Sequence, residues 1–141
     1  MEPPQEKCLS DHSINATCLE KLRAGYRGQD DHFNEHLFLL LHRYATLFGP
    51  HGREGCGWQL AAPPSVLDAL GSDFGIELEC FASPLNRHLP RFCSAFPDTD
   101  TVFGSLGNFF STARLGRLRQ FRAAVCNPPY DDEVMRLGVE A

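Results

Sequence analysis

Long hydrophobic runs are missing from this chain of 141 residues: the longest, Leu37 to Leu41, is five residues, against the ~18 that a membrane-spanning helix requires. No membrane association is therefore expected. The opening MEPPQEK has no basic start followed by an apolar stretch, so it does not read as a secretory signal, and a cytoplasmic or nuclear protein is expected. Closely spaced cysteines are missing too. Cys8, Cys18, Cys56, Cys80, Cys93 and Cys126 never fall within four residues of each other, so there is no zinc knuckle or redox CxxC. All six are expected to be reduced, structural thiols. An excess of positive charge is lacking, since the net charge is -5 and the pI about 5.6. That excludes an overall basic coat for nucleic acid while allowing a local basic patch. His32 and His36 stand four apart with no evident third ligand, and no metal site is expected. No nucleophile elbow, phosphate loop or Ser/His/Asp order is visible.

What is present reads as one soluble domain. Hydrophobic residues make up 43% and charged residues 22%, which argues against disorder and against a coiled coil. Gly 12 and Pro 10 promise many tight loops. Residues 1–30 read as a loosely ordered N-terminal segment with a short helix near Ser13 to Ala24, and residues 31–141 as the folded domain. The clearest helix runs from about Asp31 to Phe48, where Phe33, Leu37, Leu40, Leu41, Tyr44 and Phe48 recur at helical spacing. A Gly/Pro-rich loop at 49–64 follows, then a helix from Ser65 to Phe74 with Gly75 as its cap. Ile76 to Phe81 reads as a strand, Leu85 to Phe96 as helical despite Pro90, and Pro97 to Gly107 as a loop. Phe121 to Cys126 reads as a second strand, and Asp131 or Asp132 caps a last short helix. The alternation predicts an α/β sheet with ligands at its strand ends.

Chemistry concentrates at Asn127-Pro128-Pro129-Tyr130. Two prolines after a strand stiffen the backbone and remove two N–H donors, which leaves nearby carbonyls to accept from something else. The Asn oxygen accepts as well, and an aromatic face follows. This suits a flat ring bearing an exocyclic NH₂ group. Holding both amine hydrogens out of plane aims the nitrogen lone pair at a methyl donor, and fixed acceptors stabilise the positive charge that develops. The pattern [D/N]-P-P-[YFW] is the signature of amino-directed, S-adenosylmethionine-dependent methyltransferases; read alone, it is also an ordinary turn that ends a strand.

A wider match joins it. ECFASPLN, CSAFPDTD, FGS-G and NPPY occur in that order, preceded by RYATLFG and EGCGWQLAAPPSVLDAL. From about Arg43 to Asp132, roughly two-thirds of the chain, the sequence resembles the catalytic core of the phosphorylated-CTD-interacting factor family, which are cap-specific adenosine N6-methyltransferases. The resemblance implies a class I, Rossmann-like methyltransferase fold, with S-adenosylmethionine as cofactor and the cap-adjacent 2′-O-methyladenosine of mRNA as substrate. Glu79, Cys80, Phe81, Ala82, Ser83, Pro84 and Asn86 would form the cofactor loop, with Asp98 and Asp100 near its ribose. Asn127, Pro128, Pro129 and Tyr130 would hold the amine, and Asp132 would lie close to the substrate.

The departures from the pattern are Tyr130 in place of Phe, Pro90, and the arginines Arg114, Arg117, Arg119 and Arg122. Of these, Arg114 and Arg117 are expected to grip cap phosphates. Against the family, the chain reads as a partial copy that stops after the NPPY strand and lacks the family's helical domain and WW module. Three explanations compete, a fragment, a split enzyme with a partner chain completing the sheet, and a degenerate copy, of which the fragment is favoured. The alternatives are an inactive remnant that binds RNA or a partner, and a methyltransferase for DNA or another exocyclic amine. By resemblance, the partners are the capped mRNA 5′ end and the RNA polymerase II machinery, and the location is the nucleus.

Overall fold

The structure, a computed structural model, describes residues 14–48 and 61–140. Expectations for residues 1–13, and for the loop at 49–64 up to residue 60, lie outside the described residues. Helix α1 (Ala16–Gly25) is the first element among the described residues, with the Asn15 side chain accepting from the Cys18 N–H. A 3₁₀ turn at Asp30–His32 leads into α2 (Phe33–Phe48), and α3 spans Pro64–Phe74. Then come β1 (Ile76–Ala82), β2 (Phe92–Ser94), α4 (Pro97–Asp100), α5 (Phe109–Arg114), β3 (Ala123–Val125) and α6 (Asp132–Glu140). None of the described helices is long and apolar enough to cross a membrane.

The three strands form one parallel sheet in the order β2-β1-β3. The fold is therefore α/β and compatible with a Rossmann-like arrangement. Lying between two neighbours, β1 buries Leu78, Glu79 and Cys80 in succession rather than alternately, as a central parallel strand does. Helix α3 packs against β1. It stops because Gly75 takes the left-handed conformation at φ 68, and the Gly75 N–H returns to the Gly71 carbonyl. A second apolar cluster sits between helices, with Leu22 of α1 meeting Phe33, Leu40 and Tyr44 of α2 and Phe103 beyond α4.

Several boundaries differ from expectation. Phe92-Cys93-Ser94 is a strand, not part of a helix over 85–96. All three residues are buried, so they give no alternating pattern to read. The expected loop at 97–107 contains α4 and a 3₁₀ turn, Thr101–Phe103. Beyond it the backbone doubles back along β2: the Leu106 N–H donates to the Phe92 carbonyl (2.9 Å) and the Ser94 N–H to the Gly107 carbonyl (3.0 Å). These bonds close one edge of the sheet. The short helix expected near Ser13 to Ala24 is α1, and its Leu22 is fully buried.

Only residues 83–91 join β1 to β2, fewer than the dozen or so usual for a parallel crossover. So short a connection has no helix to satisfy its backbone groups, and side chains do so instead. The Lys21 ammonium of α1 donates to the carbonyls of Leu85 and Arg87, both at 2.9 Å. Glu79 Oε1 accepts from the N–H groups of His88 (2.8 Å) and Leu89 (2.6 Å). The crossover is fastened from above by the first helix and from below by the central strand.

Candidate functional site

The carboxyl ends of all three strands point to one rim. There, β1 passes into Ser83, β2 into Ala95 and β3 into Cys126 and Asn127. After β2 the chain returns past β1 to place β3 on its other side, so the strand order reverses at β1. Open α/β sheets bind ligands at such a switch point. A cleft of about 200 Å³ lies at this rim, lined by Ala82, Ser83 and Asn86 and by Asn127, Pro128 and Pro129. The two motifs singled out in the sequence thus share one cleft.

The wall between them is aromatic. Phe81 packs against Phe109 with ring centroids 4.8 Å apart, and Phe110 lies 5.7 Å from Phe81 and 5.3 Å from Phe109. All three rings line the cleft, and so does Tyr44 of α2. Asn108 positions this wall by capping α5, its Oδ1 accepting from the Ser111 N–H. Cys80 also lines the cleft. Burial pushes its thiol up to about 12, with the neighbouring Cys126 and Cys93 adding to the shift. At neutral pH it is a neutral, apolar contributor and not a thiolate nucleophile.

The Ser83-to-Asn86 turn is held by its own side chains. Asn86 Oδ1 accepts from the Ser83 N–H (2.7 Å) and hydroxyl (2.8 Å), and the Asn86 N–H donates to Ser83 Oγ (3.1 Å). Pro84 is fully buried beneath it. In the same cleft, the Asn127 carboxamide makes no hydrogen bond to any described residue, and no described N–H reaches the Pro128 carbonyl. The Pro129 carbonyl is engaged, accepting from the Asp131 N–H at 2.7 Å. Asn127 Oδ1 and the Pro128 carbonyl are the acceptors left at the kink.

Other expected site residues lie elsewhere. Glu79 is 6% exposed and fastens the crossover; it lines a separate cavity of about 20 Å³ that shares Phe81, Ala82, Asn86 and Asn127 with the main cleft. Tyr130 is 80% exposed and is not among the lining residues, so stacking against the cleft falls to the phenylalanine wall. Asp98 is on the surface, ion-paired with Arg43. Asp100 is wholly buried under the cleft, where it accepts from the Tyr44 hydroxyl (2.7 Å) and the Thr99 hydroxyl (3.0 Å). Burial raises its carboxyl above the ordinary value, and hydrogen bonds from Tyr44, Ser94 and Thr99 pull it partly back. Neither aspartate lines the cleft.

Asp132 begins α6, while the actual cap is Asp131, whose Oδ1 accepts from the N–H groups of Glu133 and Val134. Arg114 ends α5, and Arg117 starts a 3₁₀ turn that leads back to the amino end of β3. Neither lines the cleft. Sequence reasoning missed Tyr44, Ser94, Asn108, Phe109, Phe110 and Val134 as lining residues. The CSAFPDTD block did contain the signal for Ser94, and FGS-G led directly to Asn108.

Comparison with known proteins follows the same blocks. Residues 19–141 match the family described as the phosphorylated CTD interacting factor 1 WW domain. The chain belongs to this family. Over 105 residues it is 44% identical to a Homo sapiens protein named mRNA (2′-O-methyladenosine-N(6)-)-methyltransferase. It is 42% identical over the same length to the Mus musculus protein of that name. The aligned part covers 74% of this chain and 14% of each relative, so the chain spans only a small fraction of the length of the curated relatives it matches.

Proposed function

We propose that this chain carries the methyl-transfer cleft of an S-adenosylmethionine-dependent enzyme that acts on N6 of the cap-adjacent 2′-O-methyladenosine of mRNA. One observation carries the reading: Asn127, Pro128 and Pro129 line the same cleft as Ala82, Ser83 and Asn86 at the strands' carboxyl ends. The class I methyltransferase fold is part of the same proposal.

The donor set fits the chemistry. A wall of Phe81, Phe109 and Phe110 accepts a flat ring, while Asn127 Oδ1 and the Pro128 carbonyl accept the two hydrogens of an exocyclic amine. Those acceptors lie close to where positive charge develops on nitrogen and need not reorganise as it does. The two prolines keep them in place. No general base is required, because the proton can leave after transfer. When bound, S-adenosylmethionine supplies the electrophilic methyl group; the Ser83-to-Asn86 turn, buttressed by Lys21 and Glu79, is the element that would hold it. A cleft of about 200 Å³ accommodates one ring, below the ~300–1,000 Å³ that usually encloses a drug-sized ligand. The rest of a cofactor or substrate extends past its mouth.

That modest volume also favours a second reading, a non-catalytic remnant that binds RNA or a partner. Calorimetric titration with S-adenosylhomocysteine separates the two: heat of binding supports the methyltransferase, and no heat from a demonstrably folded chain supports the remnant. Methyl transfer from labelled cofactor to capped but not uncapped oligonucleotides supports the mRNA substrate, and equal transfer to adenine in DNA refutes it. The family's description names a phosphorylated CTD interacting factor; association with the phosphorylated RNA polymerase II tail and a nuclear location belong to the same proposal.

A further inference from the structure

Between Thr101 and Tyr130 the chain contains Arg114, Arg117, Arg119 and Arg122 and not one Asp or Glu, although the whole protein carries a net charge of -5. All four arginines are exposed. None forms an ion pair with a described residue, whereas Arg43 and Arg136 both do. The stretch carries the chain from the end of α5 to the start of β3. Arg122 lies directly before β3, and its side chain lies against Gly75, where β1 begins. The Arg91 guanidinium, 5.4 Å from the Phe121 ring centroid, adds a fifth cation beside this stretch. Asp73 and Glu77 lie toward the same rim, at the end of α3 and the start of β1, and neither is paired with these arginines.

The arginines therefore run from the end of α5, beside the cleft wall, to Arg122 at the amino end of β3, while the cleft is at the strands' carboxyl ends. The length of β1, about 20 Å at ~3.3 Å per residue, separates Arg122 from the cleft, while Arg114 lies one helical turn beyond Phe110 of the cleft wall. Unpaired guanidinium groups on a flexible stem with fork geometry favour phosphate oxygens over isolated carboxylates. We propose that Arg114, Arg117, Arg119 and Arg122 form a second, sequence-independent contact for the RNA strand. It would grip phosphodiesters several nucleotides away from the base in the cleft. The identity of the occupant as RNA rests on the methyl-transfer reading; the surface itself does not.

The test measures binding of a fluorescein-labelled, uncapped single-stranded RNA oligonucleotide to the full chain by anisotropy across a salt series. With ~0.7 counterion released per single-strand phosphate contact, four contacts give a log–log slope near about -3. The double variant Arg117→Gln/Arg119→Gln should bind about tenfold more weakly at physiological salt, with a slope shallower by about 1.4. Arg117→Lys/Arg119→Lys should retain most of the affinity, and far-UV circular dichroism should report an unchanged fold in both. Binding of the Gln variant equal to wild type overturns the proposal. So does competition by polyglutamate as effective as by unlabelled RNA, which would assign the surface to acidic polypeptides. Calorimetry with S-adenosylhomocysteine on the same proteins keeps the two ideas apart: absence of cofactor binding in wild type refutes the cleft reading, and arginine-dependent RNA binding stands regardless.

Discussion

Tyr44→Phe removes a single oxygen from the floor of the cleft, and its effect can be worked out from the structure. Tyr44 is 5% exposed, and its hydroxyl donates to Asp100, which is wholly buried. Deleting the donor leaves the ring packed against Phe96, a T-shaped contact with centroids 5.2 Å apart, so little packing is lost. What is lost is one hydrogen bond to a carboxylate, about 1.5–3 kcal/mol when the acceptor is charged and about 0.5–1.5 kcal/mol when it is neutral. For a chain of this length, roughly 2 kcal/mol lowers Tm by roughly 6–10 °C.

The pH dependence follows from Asp100. Its folded carboxyl titrates above the ordinary value of 3.8 because burial disfavours the charge. Between 3.8 and that raised value the folded state holds more protons than the unfolded chain. Stability from this group is thus fully present below the unfolded pKa and is lost as pH rises through the folded one. Removing the Tyr44 donor withdraws an interaction that pulls the folded pKa down, so it shifts this loss to higher pH. The variant should therefore be most destabilised near neutrality and approach wild type as pH falls toward 4. Urea unfolding of both proteins at a series of pH values is the measurement. A penalty below about 0.5 kcal/mol at neutral pH, or one that does not change with pH, refutes the account of Asp100.

Asn127→Ala should abolish methyl transfer to capped RNA while leaving S-adenosylhomocysteine affinity within about twofold, because it deletes an amine acceptor and not the Ser83-to-Asn86 turn; a parallel loss of cofactor affinity counts against that division of roles. Glu79→Ala leaves the N–H groups of His88 and Leu89 without their acceptor and should cost about 2–5 kcal/mol. Glu79→Gln keeps an accepting oxygen and should cost about 1 kcal/mol. Chemical denaturation distinguishes them, and equal losses contradict the fastening role. Gly75→Ala places a Cβ on a residue at φ 68, 3.4 Å from Arg122 Cδ, and should destabilise by about 1–2 kcal/mol in thermal melts.

Helix α2 was legible because its buried Phe33, Leu40 and Tyr44 repeat at helical spacing over sixteen residues. Helix α3 was legible because Pro64 and Gly75 punctuate it. Both central strand β1 and the NPP kink declared themselves through residue type. The short strand β2 did not: three consecutive buried residues inside an apolar run carry neither a helical nor a strand period. The helices α4 and α5, four and six residues long, are too short for periodicity to speak. At the site, the motif residues Ala82, Ser83, Asn86 and Asn127 do line one cleft. The resemblance implied a ribose acceptor at Asp98 and Asp100; in the structure the Asp100 carboxylate is held by Tyr44, fifty-six positions away. Only the folded chain reveals a partner at that distance.

The short crossover has one more consequence. Because Lys21 secures the carbonyls of Leu85 and Arg87, helix α1 is a keystone for the turn that shares a cleft with the NPP kink. A chain started after Tyr26 would still contain every motif by which the cleft is recognised, yet its turn would have lost the brace that sets its shape. Homologues compared by motif alone would miss that difference, and the twenty-first residue would betray it.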